Sequence, residues 1–368
     1  MPRVLHIVAD GEPGGGTTNV LALLADLRAN GGFELAFAVQ RESYALGVSQ
    51  RLGVPAYGIE FARTRVPFVA ARALAQVIGT TAPEIVHVHG SRAGFFLACA
   101  KHGAAFPRVV YTVRGYHFLR KPVVLRELAA MAERFAHERA DVNVHVCGYD
   151  QALAERWHLL PAGARRLVIY NGIEHDELPR AADTDLRRIA FLGRLTYQKD
   201  PLLLAEIALG LDAAGYRLRV IGGGDMEDVF RARLRALGLE SRVELLGSLP
   251  RKEALAALAS AGALVLPSRW EGLPISPIEA MAIGIPVVAA NVSGLPEIVE
   301  SGVSGELIDA REPAPYVAAI RRLCEDASYR ARTLTAAAQA VDAKFLRARN
   351  LEAHVRLYES LLAGRATR

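Results

Sequence analysis

The chain has 368 residues, 51% of them apolar and 23% charged, which excludes a disordered chain and fits two domains at about 100–200 residues each. With 44 basic and 39 acidic side chains the net charge is only +5. That excess is too diffuse to demand nucleic acid, but it suits an anionic substrate or an anionic membrane surface.

Cys99, Cys147 and Cys324 are isolated from one another and from any His cluster. That spacing argues against a disulfide framework or a structural zinc and for a reducing, cytoplasmic setting. The apolar run at residues 4–9 is stopped by Asp10, short of a signal-peptide core. The longest apolar stretch, 254–266, contains Ser260 and Gly262 and ends at Pro267. It falls short of the roughly 20 residues that cross a bilayer, so a soluble or peripheral protein is expected.

Short β-branched runs at 4–9, 33–39, 85–89, 109–113 and 142–147 predict strands, with helices between them at 18–30, 68–80 and 124–139. The alternation pauses over a polar segment with Pro179 and no apolar period. It resumes with strands at 189–192, 218–221, 243–246, 263–266 and 286–290 and helices at 201–214, 226–237 and 252–259. Runs apolar on both faces belong to buried parallel sheets, and β/α alternation belongs to doubly wound α/β folds. The expected organisation is an N-terminal α/β domain over 1–175, a linker over 176–188 and a second α/β domain over 189–345. A final helix over 346–368 has an apolar face that must pack, with the N-terminal domain as the expected partner. Ligands of open α/β sheets sit beyond the carboxyl ends of the strands, so the loops after strands, and a cleft faced by both sheets, are where chemistry is expected.

The most informative of these loops follows the strand at 263–266. It reads EGLPISPIE over 271–279, continuing as EAMAIGIPVVA and GLPEIV. Ser276 is placed as a helix N-cap with Pro277 at the first helical position, Glu279 falls in the first turn, and Gly284 closes the helix. Gly272 allows close approach of backbone to ligand, and the helix N-terminus suits phosphate. Glu279 is suited to accept from the two hydroxyls of a ribose, and Glu271 from hydroxyls of a second sugar. A nucleoside-diphosphate-sugar satisfies all three features.

This string resembles the retaining family 4 glycosyltransferases of the GT-B fold. So do FLGRLTYQKDPLLL (191–204), VIGGGD (220–225), VIYNGIE (168–174), GEPGGGTTNV (11–20), HVHGSRAG (87–94) and YTVRGYHF (111–118). The resemblance implies a GT-B enzyme, with two Rossmann-like domains facing a central cleft. It would move a hexose or N-acetylhexosamine from a nucleoside-diphosphate-sugar to a hydroxyl acceptor, without cofactor or metal. YTVRGYHFLRKP (111–122) is similar to the subgroup acting on polyprenyl-diphosphate-linked acceptors in surface polysaccharide synthesis. Two other readings stand beside it: a UDP-sugar 2-epimerase of the same fold, and a non-catalytic sugar-nucleotide-binding partner.

On the resemblance, Arg194 and Lys199 would neutralise the leaving diphosphate, Glu271 would orient the sugar, and His117 would contact it. Gly15, Gly16, Gly272, Leu273, Pro274 and Glu279 would bind the donor. Arg114 stands where the subgroup has a His, and is assigned with Arg120 and Lys121 to acceptor or phosphate. Asp183-Thr184-Asp185 spells a metal-carrying Asp-x-Asp but precedes a strand, and is read as a solvated pair. His6, His87 and His89 are read as packing residues. Arg120, Lys121, Arg126, Arg134 and Arg139, with Val124, Leu128, Met131 and Phe135, outline a basic amphipathic stretch that suits an anionic lipid surface, although Glu127, Glu133 and Glu138 interrupt it.

Overall fold

The computed structural model describes residues 1–61, 67–100, 106–116, 118–120, 122–181 and 184–366. The chain divides into two compact units, one of residues 1–172 with 347–368, the other of residues 173–346.

In the first unit the strands are β1 (Arg3–Val8), β2 (Glu34–Gln40), β3 (Ala56–Ile59), β4 (Ile85–His89), β5 (Arg108–Val113), β6 (Val142–His145) and β7 (Arg166–Val168). They form one parallel sheet in the order β3-β2-β1-β4-β5-β6-β7. Its central strands are apolar on both faces because helices cover both. Leu5, Ile7, Val86, Val88, Val109 and Tyr111 pack into one cluster. Their neighbours Val4, Val8, Ile85, Val110, Val142 and Val144 pack into the other. The alternation of side chains along each strand produces this split. The last helix, Arg347–Ala366, belongs to this unit, and its Leu357, Tyr358 and Leu361 are buried in the second cluster. The chain thus returns to its first sheet after completing the second unit.

The second unit holds β8 (Asp185–Leu192), β9 (Arg217–Ile221), β10 (Glu244–Gly247), β11 (Ala261–Leu266), β12 (Val287–Ala290) and β13 (Glu306–Ile308). They make a parallel sheet in the order β10-β9-β8-β11-β12-β13. β8 starts at Asp185, inside the segment read as linker over 176–188. Ile189, Ala190 and Phe191 are fully buried, and the strand continues backwards through the half-exposed Leu186–Arg188 edge because Asp185 still pairs with Ala261. In each sheet the order reverses once, between β1 and β4 and between β8 and β11. These switch points leave crevices at the carboxyl ends of the strands.

Candidate functional site

In the second unit the loops after β8, β9 and β11 meet at the switch point. The turn after β8 passes through Gly193 into a short 3-10 turn, Tyr197–Lys199, and then the helix Pro201–Ala213. It is held against the loop after β9 by hydrogen bonds from Leu195 N–H to the Gly223 carbonyl (2.9 Å) and from Met226 N–H to the Leu195 carbonyl (3.0 Å). A Cβ on Gly222 would lie 2.1 Å from the Gly193 carbonyl oxygen, and one on Gly224 would lie 2.3 Å from that of Leu195. The Gly222–Gly224 cluster is therefore accounted for by close packing of two loops.

Lys199 and Glu271, placed together by the sequence reading, do meet. Lys199 Nζ lies 2.6 Å from Glu271 Oε1, and the two side chains are only 14% and 5% exposed. Gln198 Nε2 donates to the other oxygen, Glu271 Oε2, at 3.1 Å and also to the Trp270 carbonyl. Both oxygens of Glu271 are thus satisfied, and the loop after β8 is clamped to the loop after β11. One residue further, Asp200 caps the helix Pro201–Ala213 from a left-handed conformation (φ 51°, ψ 64°). Its buried carboxylate takes Arg269 Nη2 at 2.9 Å on one oxygen and Arg311 on the other. Asp200, Arg269, Arg311 and Gln198 were not singled out from the sequence. The signal available was Asp-Pro, a capping pair beside Lys199.

Glu279 is buried and pairs with Arg251, the first residue of the helix Arg251–Ala259. Burial pushes its pKa up against the opposing pull of Arg251, so Arg251 is what favours its ionised form. Its position differs from expectation. The helix runs Ile275–Ile283 with Pro274 as N-cap and no side-chain cap. Ser276 is thus the second helical residue and Glu279 the fifth, beyond the first turn. Pro274 at φ −67°, ψ 142° ends the extended loop two residues before the expected cap. Pro277 remains tolerated because the first-turn N–H groups have no intrahelical partner. Gly284 closes the helix at φ 95°, as read. Leu273 is buried beside Gly272 and Pro274. Arg194 is exposed and forms no ion pair among the described residues, so the structure leaves this cation apart from the Lys199–Glu271 pair.

In the first unit, Gly15 and Gly16 open the helix Gly15–Asn30. This helix begins three residues earlier than expected. Its first intrahelical bond is Thr18 N–H to the Gly14 carbonyl, so the amides of Gly15, Gly16 and Thr17 have no intrahelical partner. Arg114, after β5, has its guanidinium 3.4 Å from Asn171 Oδ1 and from His89 Nδ1. His117, Lys121 and Asp183 lie outside the described residues, as does the side chain of Arg120. Asp185 accepts from the Arg187 N–H at 2.9 Å and pairs with Arg188, so this half of Asp-x-Asp serves the strand start.

The three histidines read as packing residues form a buried cluster whose donor atoms could hold a metal ion. All six of their ring nitrogens already lie in hydrogen bonds. His89 Nε2 meets His6 Nδ1 at 3.1 Å, His6 Nε2 meets Tyr358 Oη at 3.5 Å, and Tyr358 Oη meets His87 Nδ1 at 2.5 Å. His87 Nε2 meets Thr112 Oγ1 at 2.6 Å, and His89 Nδ1 faces Arg114. One set of tautomers satisfies this chain from end to end with every ring neutral, and burial holds all three imidazole pKa values low. The arrangement is a polar seam in the first sheet, and Arg114 at its end opposes a cation there.

Arg251→Ala is expected to leave Glu279 buried without its cation and to lower stability by about 1–3 kcal/mol at pH 7. Because the folded pKa of Glu279 is already raised, its loss of Arg251 raises it further. The deficit is therefore full above the raised pKa of the variant, shrinks as the pH falls through it, and is largely gone at about pH 4, where Glu279 is protonated in both folded proteins. Denaturant unfolding of both proteins at pH 7 and pH 4 measures this, and an equal deficit at both pH values would show that the Glu279 carboxylate is not its source.

Comparison with known proteins bears on this geometry. Residues 13–177 match the family described as Glycosyltransferase Family 4, and residues 174–340 match Glycosyl transferases group 1. The chain is 28% identical over 269 residues to the UDP-Gal:alpha-D-GlcNAc-diphosphoundecaprenol alpha-1,3-galactosyltransferase of Escherichia coli, covering 66% of this chain and 67% of that one. It is 37% identical over 146 residues to the putative colanic acid biosynthesis glycosyltransferase WcaL of Salmonella typhimurium, about a third of each chain (37% and 36%). In fold it is similar to the sucrose-phosphate synthase of Thermosynechococcus elongatus (TM-score 0.84, 17% identity, 99% of this chain and 100% of that one). It is likewise similar to Anabaena HepE solved with UDP and glucose (TM-score 0.83, 19% identity, 98% and 100%). The two family matches together run from residue 13 to residue 340, and the chain belongs to these group 1, family 4 enzymes of the GT-B fold: it is a glycosyltransferase.

Proposed function

We propose that this glycosyltransferase takes a hexose or N-acetylhexosamine from a UDP-sugar and places it, with retention of configuration and without metal, on a hydroxyl of a polyprenyl-diphosphate-linked saccharide. The observation that carries the reading is the shielded Lys199–Glu271 pair at the β8/β11 switch point. In the ligand-free state the two charges neutralise each other. A donor whose phosphate replaces Glu271 as partner of Lys199 frees that carboxylate to accept from sugar hydroxyls, so the two charges are matched to the two halves of one ligand. Charge-assisted contacts of this kind contribute about 1.5–3 kcal/mol each.

In the reaction the bond between the anomeric carbon and the phosphate oxygen breaks, and its electron pair stays on the departing diphosphate. The acceptor oxygen bonds to the same face of the anomeric carbon, and its proton passes to the diphosphate. Lys199 and Arg194 stabilise the charge that develops on the leaving group. Glu279 holds the ribose, Glu271 with the backbone of Gly272, Leu273 and Pro274 orients the sugar, and Gly15 and Gly16 allow close approach of the diphosphate. His117 is assigned to the sugar. The galactosyltransferase and glycosyltransferase relatives do not favour the epimerase or the non-catalytic alternative.

Lys199→Ala should lower kcat/KM by about 10²–10³-fold, the loss seen when one donor to a developing oxyanion is removed. Glu279→Ala should act mainly on donor KM, by at least about tenfold, at the 1.4 kcal/mol per decade expected of one lost hydrogen-bonded contact. Transfer assays with UDP-sugars, run in the presence of a chelator, measure both, and unchanged kcat/KM in the two variants contradicts the assignment.

A lipid-linked acceptor places the protein at a bilayer surface. Support comes from the helix Val123–Glu138, where Val123, Val124, Leu125, Leu128 and Met131 are 52–73% exposed, following Arg120 and Lys121 in sequence. No helix among the described residues is long and apolar enough to cross a membrane. The protein is expected to co-sediment with vesicles containing phosphatidylglycerol, and Val124→Glu with Leu128→Glu to abolish this. Absence of binding by the unaltered protein contradicts the membrane assignment.

A further inference from the structure

Arg114 is a cation without a counter-ion. It forms no ion pair among the described residues. Its two hydrogen bonds, to Asn171 and His89, are long and go to neutral acceptors, and its Nε is shut off from solvent with no partner. It lines a recess at the carboxyl ends of β5, β6 and β7 together with Asn19, Thr112, Asn171, Asn350 and His354, and no carboxylate is among the lining residues. Burial alone pulls its pKa down to about 10, with no acid pulling the other way. It is therefore charged at neutral pH and inadequately solvated, a state that costs stability unless something neutralises it.

A second observation points the same way. A Cβ built on Gly16 would lie 3.7 Å from Arg114 Cδ, so the start of the helix Gly15–Asn30 borders the Arg114 side chain. That first turn carries no acidic residue, and its free amides add positive potential to the same place. Arg114 is also the only fixed cation among the described residues that line the recess. His354, the other basic group there, has its pKa lowered to about 4 by burial and is neutral. One cation with a planar fork of donors binds a carboxylate bidentately and balances its single charge, whereas a diphosphate carries about two charges.

We infer that Arg114 builds a carboxylate subsite in the first unit, which selects an acidic, uronate-type sugar carried by one of the two reactants. This deepens the glycosyltransferase reading and rests on it. The carboxylate belongs to a sugar of the acceptor or, with a hexuronate in place of the neutral hexose as the transferred sugar, to the donor, and the two are separable. Arg114 then acts as the residue that sets specificity, where a neutral sugar would leave the cation unpaired.

The test is titration calorimetry on the full chain and its Arg114→Gln and Arg114→Lys variants. UDP-glucuronate is compared with UDP-glucose for the donor, and methyl glucuronide with methyl glucoside for the acceptor. In one of the two pairs the acidic member should bind at least tenfold more tightly, Arg114→Gln should erase that preference, and Arg114→Lys should keep part of it. Affinity for UDP alone should fall by well under tenfold. The ligand-free Tm of Arg114→Gln should equal or exceed that of the unaltered protein, since an unneutralised charge has been removed. The inference is overturned if neither acidic probe is preferred or the preference survives Arg114→Gln. A tenfold loss of UDP affinity would also overturn it, by placing Arg114 on the donor diphosphate, and so would a fall in ligand-free Tm, by showing the charge already compensated. If UDP binds normally while the acidic probes show no preference, this inference falls and the donor reading stands. If no nucleotide binds at all, it is the donor reading that fails.

Discussion

The second unit depends on how its charges are shared at the carboxyl ends of β8 and β11. Lys199 is tied to Glu271, Asp200 to Arg269 and Arg311, and Glu279 to Arg251, and each carboxylate is buried while its cations are more open. Removing the cation from such a half-buried pair costs about 1–3 kcal/mol, because the buried carboxylate is left without its charge-assisted partner. The loops are therefore fixed by electrostatics as much as by packing. On the proposed reading, a donor offers a phosphate where Lys199 now finds a carboxylate, and hydroxyl donors where Glu271 now finds an ammonium, and selectivity for a molecule with both features would follow from that exchange.

The first unit shows the opposite condition. Its seam of His6, His87, His89 and Tyr358 is satisfied by neutral hydrogen bonds, and burial keeps the imidazoles uncharged. Arg114, at the end of that seam, has no ion pair among the described residues. The last helix supplies Tyr358 to the seam and Asn350 and His354 to the recess, so the return of the chain to the first sheet builds part of the surroundings of Arg114. Packing of Leu357 and Leu361 fixes that helix in place.

Much of this was legible in the sequence because it is local. β-Branched runs apolar on both faces predicted the buried parallel strands, and the string from Glu271 to Gly284 carries its loop, helix and cap within fourteen residues. Lys199 and Glu271 are 72 positions apart, yet both follow strands, and parallel sheets gather such loops at one edge. What escaped was whatever depends on lateral neighbours. Arg251, Arg269 and Arg311 are not in the residues the motif reading used, and they follow β10, β11 and β13, so the sheet order β10-β9-β8-β11-β12-β13 is what brings them to Glu279 and Asp200. The histidine seam arises from the register that sets His6 beside His87, together with a helix more than 250 residues further on. Ser276 failed as a cap because Pro274, two residues earlier, already ends the extended loop. The glycines at 222 and 224, in the string VIGGGD, are explained by loop-to-loop contact, which no local pattern announces.

On the proposed reading the donor binds in the second unit, on the loops that follow β8 and β11. Amide hydrogen exchange of the full chain with and without UDP, in the presence of a chelator, tests it most directly. Slowed exchange is expected across residues 193–200 and 271–284. Bound UDP that leaves both segments unprotected, with slowed exchange confined elsewhere, would contradict it.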